Sequence, residues 1–286
     1  MINVSKTWNN NQKNLKILLS GQNTFNKGKN LLLEMHSLLH DKKVYKINSE
    51  TFYDNLWNNL QEESCKIISK DETSILWNLW HITRIEDIVS NILIGDKDTI
   101  FNKETQIKLN INITDTGNAM TYSEIEYFNR NINIKELKKY RLNVGKSTIK
   151  TIKDLEFIDI KRKVKKIQLE KIIRNGGVIN DSKSIWLLDF WGKKNVLGLI
   201  MMPITRHQIV HLNDCFKIKK KIVNKLEKQP KLHITNGNSF AANRRLGFQK
   251  TAVGASAFVL FSSTTFCRLL EYFVFLYRNR QNVSYL

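Results

Sequence analysis

The sequence predicts an all-α protein, specifically a four-helix bundle with up-down-down-up topology. Apolar residues recur at helical spacing in four long segments. Prolines number only two, Pro203 and Pro230, which suits a chain with few helix breaks. A link of about 35 residues separates the second and third long segments. A long crossover of this kind allows the two helices that it joins to run parallel.

The first two long helices are predicted at 24–41 and 71–95. Residues 24–41 read TFNKGKNLLLEMHSLLHD, with apolar residues along one face. Residues 71–95 give the clearest helical pattern of the chain. Asp71 or Thr73 is the expected N-cap of this second helix, and Gly95 is its expected end.

The third and fourth long helices are predicted at 134–155 and within 191–227. The fourth segment contains Pro203, which we expect to kink the helix or to lie near its start. The shorter elements predicted between the long ones are a helix at 51–60, a turn at 115–120 (DTGNAM) and a helix at 161–177 that glycines close.

The composition divides the chain into a bundle at 1–230 and a divergent C-terminal tail at 231–286. The tail has two lysines and one acidic residue, and its segment 251–267 is uncharged. That segment is at the lower limit of membrane-span length and is rich in serine and threonine, so we do not predict a transmembrane helix. The tail is expected to pack elsewhere or to be a truncated or out-of-frame remnant.

The charge and the cysteines limit the partners and the compartment. The formal charge is +20, from 46 basic and 26 acidic residues, but the lysines are spread along the chain. Nucleic acid is therefore an unlikely partner, although salt-dependent DNA binding stays a third hypothesis. Three cysteines without a CxxC pair argue against a disulfide framework. The N-terminus is polar, so we predict a cytoplasmic protein without a membrane partner.

TRHQIVH, at 205–211, contains two histidines four residues apart. On a helix, His207 and His211 lie one turn apart on the same face, where both rings can reach one metal ion. The alternative is two histidines that merely share a face. Gln208 stands where a metalloprotease motif needs a glutamate, so the spacing indicates a site but no reaction. His81, amid apolar residues of the second helix, is the best third ligand, and three histidines with an open fourth position are typical of catalytic sites.

The remaining candidates have weaker patterns. His36 and His40 form a second HxxxH pair and are expected to line the pocket or to be structural. Cys215 follows His211 by four residues and is expected to be a small buried side chain rather than a ligand. Glu86 and Asp87 are expected to be surface charges, with a supporting role beside a histidine as the alternative. VGKST at 144–148 is interpreted as helix, because no glycine stands at the position that a phosphate loop requires.

The chain resembles the DinB/YfiT-like superfamily of metal-binding four-helix bundles. The similarity covers roughly residues 5–225, through segments such as LWHITRIED (79–87), YRLNVGKST (140–148) and TRHQIVHLND. The resemblance implies a divalent metal held by His81, His207 and His211, with Zn²⁺, Ni²⁺ or Fe²⁺ as the ion. It also implies a homodimer by analogy.

The resemblance leads to two main hypotheses for function. The first is a metal-dependent thiol transferase that uses a low-molecular-weight thiol as cosubstrate. Arg84 or lysine side chains would hold the carboxylates of this thiol. The second is a non-enzymatic metal-binding or stress-response protein of the DNA-damage-inducible type. Fold similarity transfers the site better than the substrate.

Overall fold

The protein is all-α across residues 4–70 and 73–227, which are the residues that the computed structural model describes. No β-strand occurs within these ranges, where one isolated antiparallel bridge joins Lys163 and Asn195. The predicted fold class is therefore confirmed for this part of the chain. The expectations for the tail at 231–286, and for Asp71 as a helix cap, lie outside the described residues.

The four long predicted helices are all present, with shorter helices between them. The helices are α1 (Val4–Ser20), α2 (Phe25–Ser37), α3 (Lys42–Tyr45), α4 (Phe52–Trp57), α5 (Ile75–Asp87), α6 (Lys103–Leu109), α7 (Tyr122–Asn131), α8 (Ile134–Asp154), α9 (Lys166–Arg174), α10 (Ser182–Gly192), α11 (Val196–Leu199) and α12 (His207–Glu227). The predicted long helices correspond to α2, α5, α8 and α12.

The structure contains helices that were not predicted. Two of them, α6 and α7, lie in the link between α5 and α8. The N-terminal helix α1 was not predicted, although its buried Leu15 and Leu19, four residues apart, pack it against α2. The helix α10 was also not predicted. Thr73 does not cap α5, since the Ser74 side chain accepts a hydrogen bond from the backbone N–H of Trp77 at 2.9 Å.

The helix α5 is the central element of the fold. It packs against α12 on one side and α8 on another, and it continues into a π-helical turn at Ile88–Ile94 that Gly95 ends as predicted. Every residue of α5 is buried. A helix that is covered all round must bury its polar side chains as well, and buried polar groups need partners. The partners of the polar residues of α5 define the candidate site described below.

Pro203 lies inside a π-helical turn, Ile200–Arg206, which joins α11 to α12. This agrees with the prediction of an irregularity near the start of the fourth helix. Side chains satisfy backbone carbonyls in this turn: the Thr205 hydroxyl donates to the Ile200 carbonyl at 2.9 Å, and the Gln12 amide donates to the Met201 carbonyl at 2.6 Å. The regular helix α12 then begins at His207.

Among the described helices, none combines the length and the hydrophobicity that a membrane-spanning helix needs.

Candidate metal centre

The three histidines that the sequence predicts as metal ligands lie close together in the structure. His207 and His211 lie one turn apart on α12, and His81 faces them from α5. One ligand atom from each ring lies within 4.8 Å of the other two. The Nε2 atoms of His81 and His207 are 3.1 Å apart, and the ring centroids of His207 and His211 are 4.5 Å apart. We call these three histidines the triad.

Hydrogen bonds orient two rings of the triad. Nδ1 of His81 lies 2.8 Å from the Thr116 carbonyl oxygen, and Nδ1 of His211 lies 2.7 Å from the Asn78 side-chain oxygen. Both partners are acceptors, so each Nδ1 carries the proton and each Nε2 keeps its lone pair; without an ion, that of His81 accepts a hydrogen bond from Nε2 of His207. Partners of this kind fix the tautomer and the orientation of metal-binding histidines in other proteins.

The predicted turn at 115–120 supplies the acceptor for His81. Three successive carbonyls, those of residues 115–117, accept hydrogen bonds from the side chains of Trp80, His81 and Trp77 respectively. Gly117 has a φ of +79°, and a Cβ there would lie 3.1 Å from the Trp77 indole nitrogen. The glycine is thus required on both conformational and steric grounds. This turn holds the aromatic wall and the His81 ring in one arrangement.

Burial keeps the triad in the neutral form that can bind a metal. His81 and His211 are buried, whereas His207 is partly accessible to solvent. Burial lowers the pKa of His81 to about 4, against a small opposing effect of the Thr116 carbonyl. Burial, and then the neighbouring histidines, hold the pKa values of His207 and His211 well below the usual histidine value. All three rings are therefore neutral at pH 7, as metal coordination requires.

The donor set fits a first-row divalent ion. Ligand nitrogens of a tetrahedral zinc site lie about 3.3 Å apart, given bonds of roughly 2.0–2.1 Å. The separation of 3.1 Å between the Nε2 atoms of His81 and His207 is close to that spacing. Three imidazole nitrogens suit Zn²⁺, Ni²⁺ or Fe²⁺ better than Mg²⁺ or Ca²⁺, which prefer oxygen. Three histidine ligands would leave the fourth position of a tetrahedral ion open.

Two other nominated residues, Arg84 and Cys215, are buried within the protein. The Arg84 guanidinium donates to the Thr114 carbonyl at 2.7 Å, contacts Asp87 at 3.4 Å and stacks over Phe101. Cys215 is a free, buried thiol, and burial raises its pKa well above the usual cysteine value. Arg84 therefore connects α5 to the α5–α8 link. Cys215 is a neutral thiol outside the triad.

The expectation that Glu86 and Asp87 are surface charges was wrong, because α5 is covered on every side. Neither residue has any exposed surface. The Asp87 carboxylate accepts hydrogen bonds from the backbone N–H groups of Ile100 and Phe101 and from the Tyr140 hydroxyl, so it fastens the α5–α8 link. Glu86 instead contacts histidines.

Glu86 meets His36 and His40, the second histidine pair of the sequence. Nε2 of His36 lies 2.7 Å from one carboxylate oxygen, and Nε2 of His40 lies 3.0 Å from the other. These three residues, which we call the His–Glu cluster, are all fully buried. The alternative given for Glu86, a carboxylate beside a histidine, is thus what the structure shows, but the sequence could not name the histidines, because His36 lies 50 residues away in the chain. The only local signal was an acidic residue on a strongly apolar helix.

The VGKST segment lies within α8, which confirms that it is helix rather than a phosphate loop. Its glycine has a packing role: a Cβ at Gly145 would lie 2.7 Å from Nδ1 of His40. The glycine therefore makes room on α8 for the His40 ring.

No protein-family model matches the chain, and a search of curated proteins finds no match either.

Proposed function

We propose that the protein binds a divalent metal ion, Zn²⁺, Ni²⁺ or Fe²⁺, through His81, His207 and His211. The observation that carries this proposal is the convergence of three neutral imidazoles whose ligand atoms lie within 4.8 Å of one another. Two of the rings have their Nδ1 atoms held by oxygen acceptors, which leaves each Nε2 free for the ion.

We further propose that the protein is a DinB-like four-helix bundle with up-down-down-up topology. The bundle would consist of α2, α5, α8 and α12. In support, α5 packs against both α8 and α12, and α2 packs against α8. The link between α5 and α8 is long enough for a crossover, and its helices α6 and α7 would cover one end of the bundle.

The chemistry of the proposed site follows from its open position. A bound divalent ion would act as a Lewis acid that lowers the pKa of a thiol or water molecule. The protein would hold the three Nε2 atoms in place through Thr116 and Asn78, and Trp77, stacked on His81 at a centroid distance of 4.8 Å, would keep water from one side. A cosubstrate would approach past His207, the partly accessible member of the triad.

The reaction class that we propose, on the basis of the DinB-like resemblance, is thiol transfer to an electrophile, with a low-molecular-weight thiol as cosubstrate. One observation favours the alternative, a non-enzymatic metal-binding or stress-response protein. Arg84 was predicted to bind the carboxylates of the thiol. It is buried and hydrogen-bonded to the Thr114 carbonyl, so it cannot bind such a ligand in this position. A lysine from the open side would have to take this role in the enzyme.

The metal content of the protein tests the proposal. Wild type and His207→Ala would be purified without chelator and without a metal-affinity tag, and analysed by mass spectrometry. We expect His207→Ala to lose one ion per chain while its helical circular dichroism persists. The matched control is Asn213→Ala, a partly buried position on the same helix, which should keep the wild-type content. Equal metal content in wild type and His207→Ala would exclude the triad as the site.

A thiol titration separates the two functions. Co²⁺-loaded protein would be titrated with small thiols, and the visible absorption of the ion would report a sulfur ligand. A spectral change in wild type that is absent in His207→Ala supports the transferase. No change with any thiol, in protein that holds its metal, supports the non-enzymatic alternative. Sedimentation of the same samples tests the homodimer that the family analogy suggests.

A further inference from the structure

The His–Glu cluster is a second convergence of metal-binding side chains, built at a different place on α5. His36 belongs to α2, His40 follows the end of that helix, and Glu86 lies on α5. The two imidazole rings lie 4.3 Å apart between centroids. One ligand atom from each of the three residues lies within 4.8 Å of the other two.

Hydrogen bonds within the protein leave part of this cluster unsatisfied. Both ring nitrogens of His40 and the Oε2 atom of Glu86 are buried without a hydrogen bond, although Nε2 of His40 and Oε2 lie 3.0 Å apart. Nδ1 of His40 has no polar partner, whereas Nε2 and Oε2 lie at ion-pair distance but outside hydrogen-bond geometry. Gly145 makes room for the His40 ring on α8. The Nε2–Oε2 pair is therefore the part of the cluster that an ion could bridge.

We propose that His36, His40 and Glu86 form a second site for a first-row divalent transition-metal ion, separate from the triad. Two imidazoles and one carboxylate are a donor set that zinc and iron(II) both use. An ion in this position would accept the lone pairs of His40 Nε2 and Glu86 Oε2, which meet at 3.0 Å outside hydrogen-bond geometry. The N–O distances of 2.7 and 3.0 Å are somewhat shorter than the spacing of about 3.3 Å between tetrahedral zinc ligands, so the ion would move the carboxylate outward slightly.

The surroundings of the cluster support ligation by His36. Nδ1 of His36 lies 2.7 Å from the Tyr45 hydroxyl. When Nε2 binds the ion, Nδ1 carries the proton and donates it to the Tyr45 oxygen, which orients the ring. His36 therefore has a partner on Nδ1, as His81 and His211 have in the triad, whereas Nδ1 of His40 has none.

The buried charge of Arg141 opposes a dication here and limits its affinity. Arg141 donates to the Leu39 carbonyl, beside His40, and to the Gln208 side chain, beside His207. It thus connects the two candidate sites. The cluster is also closed to solvent, so its ion would enter as the protein folds and would act structurally.

Zinc stoichiometry tests this inference. The full chain would be refolded with Zn²⁺ in excess, dialysed free of unbound ion and analysed for zinc per chain. We expect two ions in wild type, one in Glu86→Gln and one in His207→Ala. Glu34→Gln, an exposed carboxylate on α2, is the matched control and should keep two. A single ion in wild type, or two ions in folded Glu86→Gln, would overturn the second site.

This experiment tests the two proposed sites independently of each other. Loss of an ion only in Glu86→Gln would remove the triad proposal, and loss only in His207→Ala would remove the second site. If Glu86→Gln does not fold, X-ray absorption on zinc-loaded His207→Ala decides. We expect one zinc with two imidazole ligands and a carboxylate oxygen. An ion without a carboxylate ligand, or no ion, in this variant would overturn the inference.

Discussion

The triad and the His–Glu cluster use similar side chains on the same central helix, yet they differ in two physical respects. The triad contains three histidines, two of which have Nδ1 partners, and its member His207 keeps some exposed surface. The His–Glu cluster contains a carboxylate and has no exposed surface. Open sites are typical of catalysis and closed sites of structure. The donor set and the exposure together therefore separate the roles that we propose for the two sites.

Acid should produce the largest effect, because His81 and His40 are both buried and neutral in the folded protein and gain protons on unfolding. In metal-free protein, burial lowers the pKa of His81 to about 4, against 6.5 for a solvent-exposed histidine, which represents the unfolded chain. Between pH 6.5 and pH 4 the unfolded chain binds more protons than the folded chain. The contribution of His81 to the free energy of unfolding is therefore complete above pH 6.5 and is lost as the pH falls to 4. His81 alone accounts for about 3 kcal/mol. Urea unfolding from pH 7 to pH 4 measures this loss.

Single substitutions show which cluster accounts for the loss of stability in acid. His81→Gln should reduce the proton uptake on unfolding by about one proton between pH 6.5 and 4. Since burial lowers the pKa of His40 to about 3, His40→Gln should still change the profile below pH 4. A wild-type stability that is constant from pH 7 to 4.5 would contradict buried neutral rings in both clusters.

The next largest effect is expected from Asn78, the orienting partner of His211. Asn78→Ala removes the acceptor that fixes the His211 tautomer, so the metal affinity of the triad should fall about 10–100-fold. Competition with a chromogenic chelator measures this change. Asn129→Ala also deletes a buried amide, one bonded to the Ser74 side chain rather than to a histidine, and should leave the affinity unchanged. A change of less than twofold in Asn78→Ala would mean that the ring is oriented by packing alone.

The smallest effect is expected from Gly145, and it should be confined to the His–Glu cluster. An alanine Cβ would come within 2.7 Å of His40 Nδ1, so we expect a net loss of about 1 kcal/mol, after a helix-propensity gain of similar size. Urea unfolding measures the loss. Gly198→Ala is the control, because its Cβ would meet the flexible Lys194 side chain at 3.2 Å. Stabilisation in Gly145→Ala would show that His40 has room to move.

The sequence predicted the features that depend on local spacing. His207 and His211 share a helix face by their separation alone, and the apolar surroundings of His81 placed it on a buried helix. The partners that complete each site could not be predicted, because they depend on contacts between distant segments. Thr116 lies 35 residues from His81, and Asn78 lies 133 residues from His211. No periodicity in one sequence reports such pairings.

Errors at helix ends have a different cause. Thr73 and Ser74 are both competent caps, and only the observed hydrogen bond to the Trp77 N–H distinguishes them.

The helices α6 and α7 are short, so their apolar positions are too few to give a clear period. Glu86 was assigned to the surface because carboxylates rarely lie inside a protein without a partner, and its histidine partners come from a distant segment, α2 and the residues after it.

The π-helical turn at Ile200–Arg206 sets the rotational phase of the helix that follows it. Each residue of an α-helix advances the chain by about 100° around the axis. The seven residues of this turn therefore fix the direction in which His207 and His211 point when α12 begins. A change in the number of residues in this stretch would swing both rings away from His81 together. The site therefore depends on the length of a segment that contributes no ligand of its own.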